Sequence, residues 1–337
     1  MSVLITGITG FIGSILARRL VNEEYDVYGL VRHVSRSALR GLEPVLDKVK
    51  FIEGDICEYH SARAAIASCT PSAVFHLGAL TPVRYSFEDP FPFAKLNFEG
   101  TMNVAHAILE CSPKTHLLAA STAEVYGWQE HKPTREDARL NPSSPYAVSK
   151  AAADLYLQMA MNVYGLRTSI FRCNNSYGRV GEKGFLVEYV LSSMINGGPV
   201  YIGAPNNIRD YMFVDDHVDA YVRAFKRQAI GQIFNVSPGN PISNLNLAKK
   251  LRQITGYKGK IVKGSYPPGY PVRPISWDTD YIVLDSSIIR KKLDWKPSVT
   301  LDEGLDRAAE RWEKDSRSAS QDTRTEIRGK LSIVKAR

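Results

Sequence analysis

Thr6-Gly7-Ile8-Thr9-Gly10-Phe11-Ile12-Gly13 decides the fold. The stretch lies between an apolar run, Val3–Thr6, that reads as a strand, and a helical pattern over Phe11–Asn22. Glycines spaced by three permit a tight turn. Lacking Cβ atoms, they also let the backbone approach a pyrophosphate at the helix N-terminus. A glycine triplet alone is a weak signal, and its weight comes from the series of elements downstream of it. Asp26–Val31, Lys50–Glu53, Ala73–Leu77 and His116–Ser121 read as further short strands, with helical stretches at Ser61–Ser68 and Leu96–Glu110 between them. Strands separated by helices imply parallel crossovers, so the first half of the chain predicts a doubly wound α/β sheet.

Further out, Tyr146–Tyr164 reads as a helix and Leu166–Arg172 as another strand. Beyond Asn174 glycine and proline become frequent, as in Gly197-Gly198-Pro199 and Pro267-Pro268-Gly269. This predicts a dinucleotide-binding domain over 1–173 and a smaller mixed α/β lobe over most of 174–315, with about 210–236 returning to the first domain. Phe185–Asn196, Val214–Phe225, Asn244–Thr255 and Leu301–Lys314 look helical, the last with Thr300 as N-cap and Glu303 in the capping-box position. The segment 316–337 carries six Lys/Arg against two Asp/Glu, half of the chain's net +8, and its polar character predicts a poorly ordered tail. With the excess charge so placed, and no basic run with interleaved aromatics in the body, nucleic acid is not an expected partner. Cys57, Cys69, Cys111 and Cys173 have no zinc or disulfide spacing, so no metal is expected and a cytoplasmic location is. No apolar run is long enough to span a bilayer.

Two clusters carry chemistry. Tyr146 and Lys150 follow Asn141-Pro142-Ser143-Ser144-Pro145, a helix start with Pro145 near its first position. A spacing of four puts both side chains on one helical face, where a lysine can lower the tyrosine's pKa and hold a ribose. Ala120-Ser121-Thr122-Ala123-Glu124 ends the fifth strand and brings a hydroxyl and a carboxylate to its tip. At the end of the second strand stands Arg32, with no carboxylate before Glu43. A cation suits a ribose 2′-phosphate and cannot accept a hydrogen bond from a 2′-hydroxyl, so NADP is the expected cofactor and NAD the alternative.

The GxxGxxG spacing, Gly54-Asp55-Ile56, His76-Leu77-Gly78-Ala79 and the run Asn141–Tyr156 together resemble the extended short-chain dehydrogenase/reductase family, over roughly residues 1–315. That resemblance implies a Rossmann-type fold, a nucleotide-diphosphate sugar as substrate, and motifs most similar to GDP-mannose 4,6-dehydratases. It implies cofactor contacts from Gly7, Thr9, Gly10, Phe11, Ile12, Gly13, Arg32, Asp55, Ile56, Leu77, Ala79, Asn97, Tyr146 and Lys150. Tyr146 becomes the base toward a sugar 4-hydroxyl, Lys150 its support, and Thr122 a hydrogen-bonding partner of the reacting oxygen. Glu124 implies a 4,6-dehydratase, in which it removes the C5 proton before water leaves from C6. Ala123 departs from the Asp of glucose-type dehydratases and is common in 4-epimerases, so a nucleotide-sugar 4-epimerase is the alternative. A nucleotide uronic acid decarboxylase and a non-catalytic dinucleotide-binding protein are further ones. Asn175, Arg209 and Arg273 are the implied substrate contacts. A homodimer is expected through the helix Tyr146–Tyr164, with Ala147, Ala151 and Leu155 on the paired face, and a homotetramer through His33–Arg40 is the alternative.

Overall fold

The computed structural model describes residues 1–33, 36–270, 279–321 and 332–334. Its centre is a sheet of eight strands: β1 (Ser2–Thr6), β2 (Asp26–Val31), β3 (Val49–Glu53), β4 (Ala73–His76), β5 (His116–Thr122), β6 (Thr168–Cys173), β7 (Gln232–Val236) and β8 (Ser332–Val334). Every pairing is parallel, and the spatial order is β7-β6-β5-β4-β1-β2-β3-β8. The inner strands are near-continuous apolar runs because both faces are covered by helices. The chain reverses its direction of travel across the sheet between β3 and β4. A crevice therefore opens at the C-terminal ends of β1 and β4, where open α/β sheets bind ligands.

α1 (Phe11–Asn22), α2 (Tyr59–Cys69), α3 (Gly100–Cys111) and α4 (Pro145–Val163) cover the sheet. Gly7 has φ +71°, and a Cβ on it would stand 2.8 Å from the Gly78 nitrogen. A Cβ on Gly13 would stand 2.1 Å from the Gly7 oxygen. The loop after β1 thus closes on the loop after β4 with no room for a side chain. α4 starts as its sequence indicates: Ser144 Oγ accepts from the Ala147 N–H at 3.1 Å, and Pro145 opens the helix.

The smaller lobe contains α5 (Leu186–Ile195), α7 (Asn244–Thr255) and short strand pairs such as Asn175–Tyr177 beside Tyr211–Phe213; α6 (Val214–Lys226), between them in the chain, packs on α1. Asp210, fully buried, accepts from Ser237 Oγ, the Gly239 N–H and the Asn240 N–H and so holds the lobe's central turn. α8 (Leu301–Gln321) begins with Thr300 Oγ1 accepting from the Glu303 N–H. α8 runs past Ser316 to Gln321, since adding residues to a nucleated helix is easy, and Ser332-Ile333-Val334 pairs with the open edge of β3.

Candidate active site

A cleft of about 490 Å³ lies between the sheet's C-terminal edge and the smaller lobe. Of the residues assigned from sequence, Gly7, Gly10, Phe11, Ile12, Gly13, Leu77, Ala79, Thr122, Glu124, Tyr146, Lys150, Asn175 and Arg209 line it. Arg273 lies outside the described residues. Thr9, Arg32, Asp55, Ile56 and Asn97 are not in the lining.

Asn97 lies behind the cleft wall. The residue is fully buried in a wide, π-type turn (Ala94–Glu99), and both its amide oxygen and its amide nitrogen are hydrogen-bonded within the protein. Its amide oxygen accepts from the Leu80 N–H at 2.8 Å, and its Nδ2 donates to the Leu80 oxygen and to Ser149 Oγ, each at 3.0 Å. It clamps the loop after β4 to α4 and holds the cleft wall from behind. A second clamp runs from β1 to α3. Thr101 Oγ1 donates to the Asn97 oxygen, so it accepts from His76 Nε2, and His76 Nδ1 accepts from Thr6 Oγ1. Burial holds His76 down to about 3, with Lys150 adding to the shift, so the ring is neutral with its proton on Nε2.

At the reaction end Tyr146, Lys150 and Asp154 follow one face of α4. The Tyr146 phenol is hydrogen-bonded to Thr122. Burial pushes its pKa well above the ordinary value, the Thr122 bond opposes the shift, and the Glu124 charge adds to it. Thr122 Oγ1 also accepts from the Glu124 N–H at 3.3 Å, which turns the chain at the tip of β5. Lys150 is buried and its ammonium donates to the Ala120 oxygen. Burial pulls it to about 8, against Asp154 and Cys173, which favour the charged form. Lys150 thus grips the β5 backbone in this structure.

Behind this pair lies a buried network whose members carry no assigned role from sequence. Asp154 accepts from Arg172 Nε and Nη2, both at 2.9 Å, from Ser121 Oγ at 2.6 Å and from Gln158 at 2.7 Å. Arg172 also reaches the Tyr126 hydroxyl and the Glu136 carbonyl, each at 2.9 Å. The one signal pointing to it is the i, i+4 step from Lys150 to Asp154.

On the lobe side Asn175 is exposed to the cleft. The neighbouring Asn174, which carries no assignment from sequence, is buried there with Nδ2 on Ser237 and no partner for its amide oxygen. Arg209 is buried and donates to the carbonyls of Ile208 and Thr279. At the far corner Arg32 is exposed at the end of β2, and Asp55 accepts from the Cys57 N–H. Burial pushes the Cys57 thiol up to about 11; Asp55 adds to this, whereas Lys95 and Arg32 oppose it, so both cations act on that corner. Among the described residues no cluster of three or more His, Cys, Asp or Glu could hold a metal ion, and no helix is long and apolar enough to cross a membrane.

A tyrosine bonded to a threonine, one turn from a lysine and set beside a glycine loop at a sheet's switch point, is equipped to trade an alcohol proton while a dinucleotide takes the hydride. That class of protein is the short-chain dehydrogenases/reductases. The chain belongs to their extended family of sugar-nucleotide dehydratases and epimerases: the family model for GDP-mannose 4,6 dehydratase matches residues 4–308. A UDP-glucose 4-epimerase of Mycolicibacterium smegmatis is 34% identical over 92% of this chain and 98% of its own length. A dTDP-glucose 4,6-dehydratase of Haemophilus influenzae is 31% identical over 90% and 96%. The UDP-glucose 4-epimerase of Thermotoga maritima, solved with UDP-glucose, superposes with a TM-score of 0.83 at 28% identity, covering 94% of this chain and all of that one. A Streptomyces venezuelae dTDP-glucose 4,6-dehydratase solved with NAD gives 0.83 at 27%, covering 95% and 98%.

Proposed function

We propose that this enzyme is a nucleotide-sugar 4,6-dehydratase, similar to those acting on GDP-mannose, and that it uses NADP. The observation that carries the reading is Glu124, which lines the cleft and acts electrostatically on Tyr146. A carboxylate in that position has a task in dehydration and none in epimerisation. Tyr146 takes the proton of the sugar 4-hydroxyl while Thr122 holds the oxygen, and Lys150 supplies positive charge beneath them. A bound dinucleotide would supply the acceptor for the C4 hydride and the donor of hydride to C6. Once C4 is a ketone the C5 proton is acidic; Glu124 removes it and delivers it to the departing 6-hydroxyl, so that water leaves and a C5–C6 double bond forms. Hydride addition at C6, with return to C5 of the proton that Tyr146 took from the 4-hydroxyl, completes the 4-keto-6-deoxy sugar. With Ala123 next to it, no second acid is available at the tip of β5, and Glu124 serves both transfers.

NADP is supported by Arg32 and Lys95 acting on the corner beyond β2. Asn175, Arg209 and Arg273 are assigned to the sugar nucleotide. A cytoplasmic setting accords with four free thiols. Pairing through α4 is supported by one residue of the expected face, Leu155, together with neighbours outside it. Ala147 and Ala151 are buried within the protein's own core, whereas Val148, Leu155 and Val163 stand 53%, 54% and 67% exposed along one side.

Ala123 favours one other reading, a 4-epimerase, in which the keto sugar turns over and recovers hydride on its other face. Mass spectrometry after incubation with GDP-mannose, UDP- and dTDP-glucose, UDP-N-acetylglucosamine and UDP-glucuronate separates the two. Dehydration removes one water from the product, and Glu124→Gln should abolish that loss. A product of unchanged mass and new retention time, formed equally well by Glu124→Gln, would establish the epimerase.

A further inference from the structure

The cleft holds a buried cation that neither reading uses. Arg179 follows Gly178 in the turn after Asn175–Tyr177 and lines the cleft. Its guanidinium carbon lies 3.6 Å from the ring centre of Phe185 and 4.6 Å from that of Phe11. The side chain is only 10% exposed. Nη2 donates to the Ser176 oxygen at 3.1 Å. Nη1 has no hydrogen-bond partner, and Glu188 Oε2, at 3.8 Å, has none either. Glu188 Oε1 meanwhile accepts from the N–H groups of Gly178 and Arg179. Burial holds the Arg179 guanidinium below its ordinary value and the Glu188 carboxyl above its own, the mark of a pair that only partly offsets its desolvation.

The opposite wall gives this donor its meaning. Phe11 is the first residue of α1, directly after Gly10, and the first turn of that helix carries no acidic side chain. A twelve-residue helix offers about half a positive charge at this end. A diphosphate diester brings two negative charges. Among the described residues four cations line the cleft: Arg84, Lys150, Arg179 and Arg209. Of these, Arg179 packs on the glycine loop through Phe11.

We infer that Arg179 is a diphosphate-binding residue that closes over the α1 N-terminus from the opposite wall, with Glu188 as the carboxylate that holds it until the anion arrives. The inference rests on the reading of the cleft as a dinucleotide and sugar-nucleotide site. Two diphosphates enter such a cleft, and the packing on Phe11 favours the cofactor's.

Calorimetric titration of the full-length protein with ADP-ribose, AMP, UDP, dTDP and GDP tests it. Arg179→Met keeps a flexible apolar stem between the two rings and removes the charge. It should weaken ADP-ribose binding by roughly tenfold or more, the effect of one charge-assisted hydrogen bond, and leave AMP little changed. Glu188→Gln keeps a carbonyl for both backbone N–H groups and removes the competing charge, so it should tighten ADP-ribose binding several-fold. If Arg179→Met instead weakens only the nucleoside diphosphates, the residue serves the substrate's diphosphate. Unchanged binding of every probe overturns the inference. So does weaker binding in Glu188→Gln, because the pair would then merely brace the turn; this variant decides alone should Arg179→Met not fold. Wild-type protein that binds none of the probes would overturn the reading of the cleft itself.

Discussion

Breaking the Asp154–Arg172 pair is expected to cost about 3–5 kcal/mol of stability. The carboxylate is 0% exposed and the guanidinium 2%, so neither partner finds water once the other is gone. Asp154 receives four hydrogen bonds, two of them from Arg172. Arg172→Met leaves that carboxylate with only the neutral donors Ser121 and Gln158. Asp154→Leu leaves the guanidinium with the Tyr126 hydroxyl and the Glu136 carbonyl. The double variant removes both charges and fills the space with apolar atoms, so it should be more stable than either single one. Urea unfolding followed by circular dichroism reads this directly. At a slope of roughly 3 kcal/mol per molar, each single variant should lose about 1–2 M in midpoint. Asp154 also favours the charged form of Lys150, which burial has pulled to about 8. Asp154→Leu should therefore move the alkaline limb of kcat/KM to lower pH. A single-variant loss below about 1 kcal/mol, or a double variant worse than both singles, would refute the reasoning.

Three further outcomes are expected. Burial holds His76, His116 and His217 to about 3, 4 and 3, below the ordinary value near 6.5, so the unfolded chain takes up protons first as pH falls. Stability contributed by their neutral forms is complete above pH about 6.5 and is lost below it, by up to about 1.4 kcal/mol per pH unit for each; midpoints that stay flat from pH 7 to 5 would contradict this. Gly13→Ala forces a methyl to 2.1 Å from the Gly7 oxygen, so it should cost about 1–3 kcal/mol and abolish the protein's fluorescence response to dinucleotide. Val148→Glu combined with Leu155→Glu should reduce the mass seen by light scattering to that of one chain while leaving the circular dichroism spectrum unchanged. An undiminished assembly would place the interface elsewhere.

Much of this protein is legible locally. β1, the glycine loop and α1 follow from apolar runs and glycine spacing, and the start of α4 from Ser144 and Pro145, because a helix cap acts within three residues. The Tyr146–Lys150 face follows from helical geometry alone. Arg84, Arg179 and Asn174 were not legible. Each stands in a loop whose path is set by packing against distant segments, and nothing in the neighbouring sequence distinguishes these side chains from surface polar residues.

The sequence by itself determined the class of sheet, the position of the dinucleotide turn, the family and the set of reacting groups. Each is a matter of neighbours in the chain or of motifs in order. Only the tertiary structure decided that Asn97 clamps the loop after β4 to α4. The same is true of the outward face of α4, where Val148 is exposed and Ala147 is not, and of Arg179, poised between Glu188 and the head of α1. In each case the deciding partner lies on another element, and burial, which sets both charge and hydrogen-bonding demand, exists only once those elements have come together.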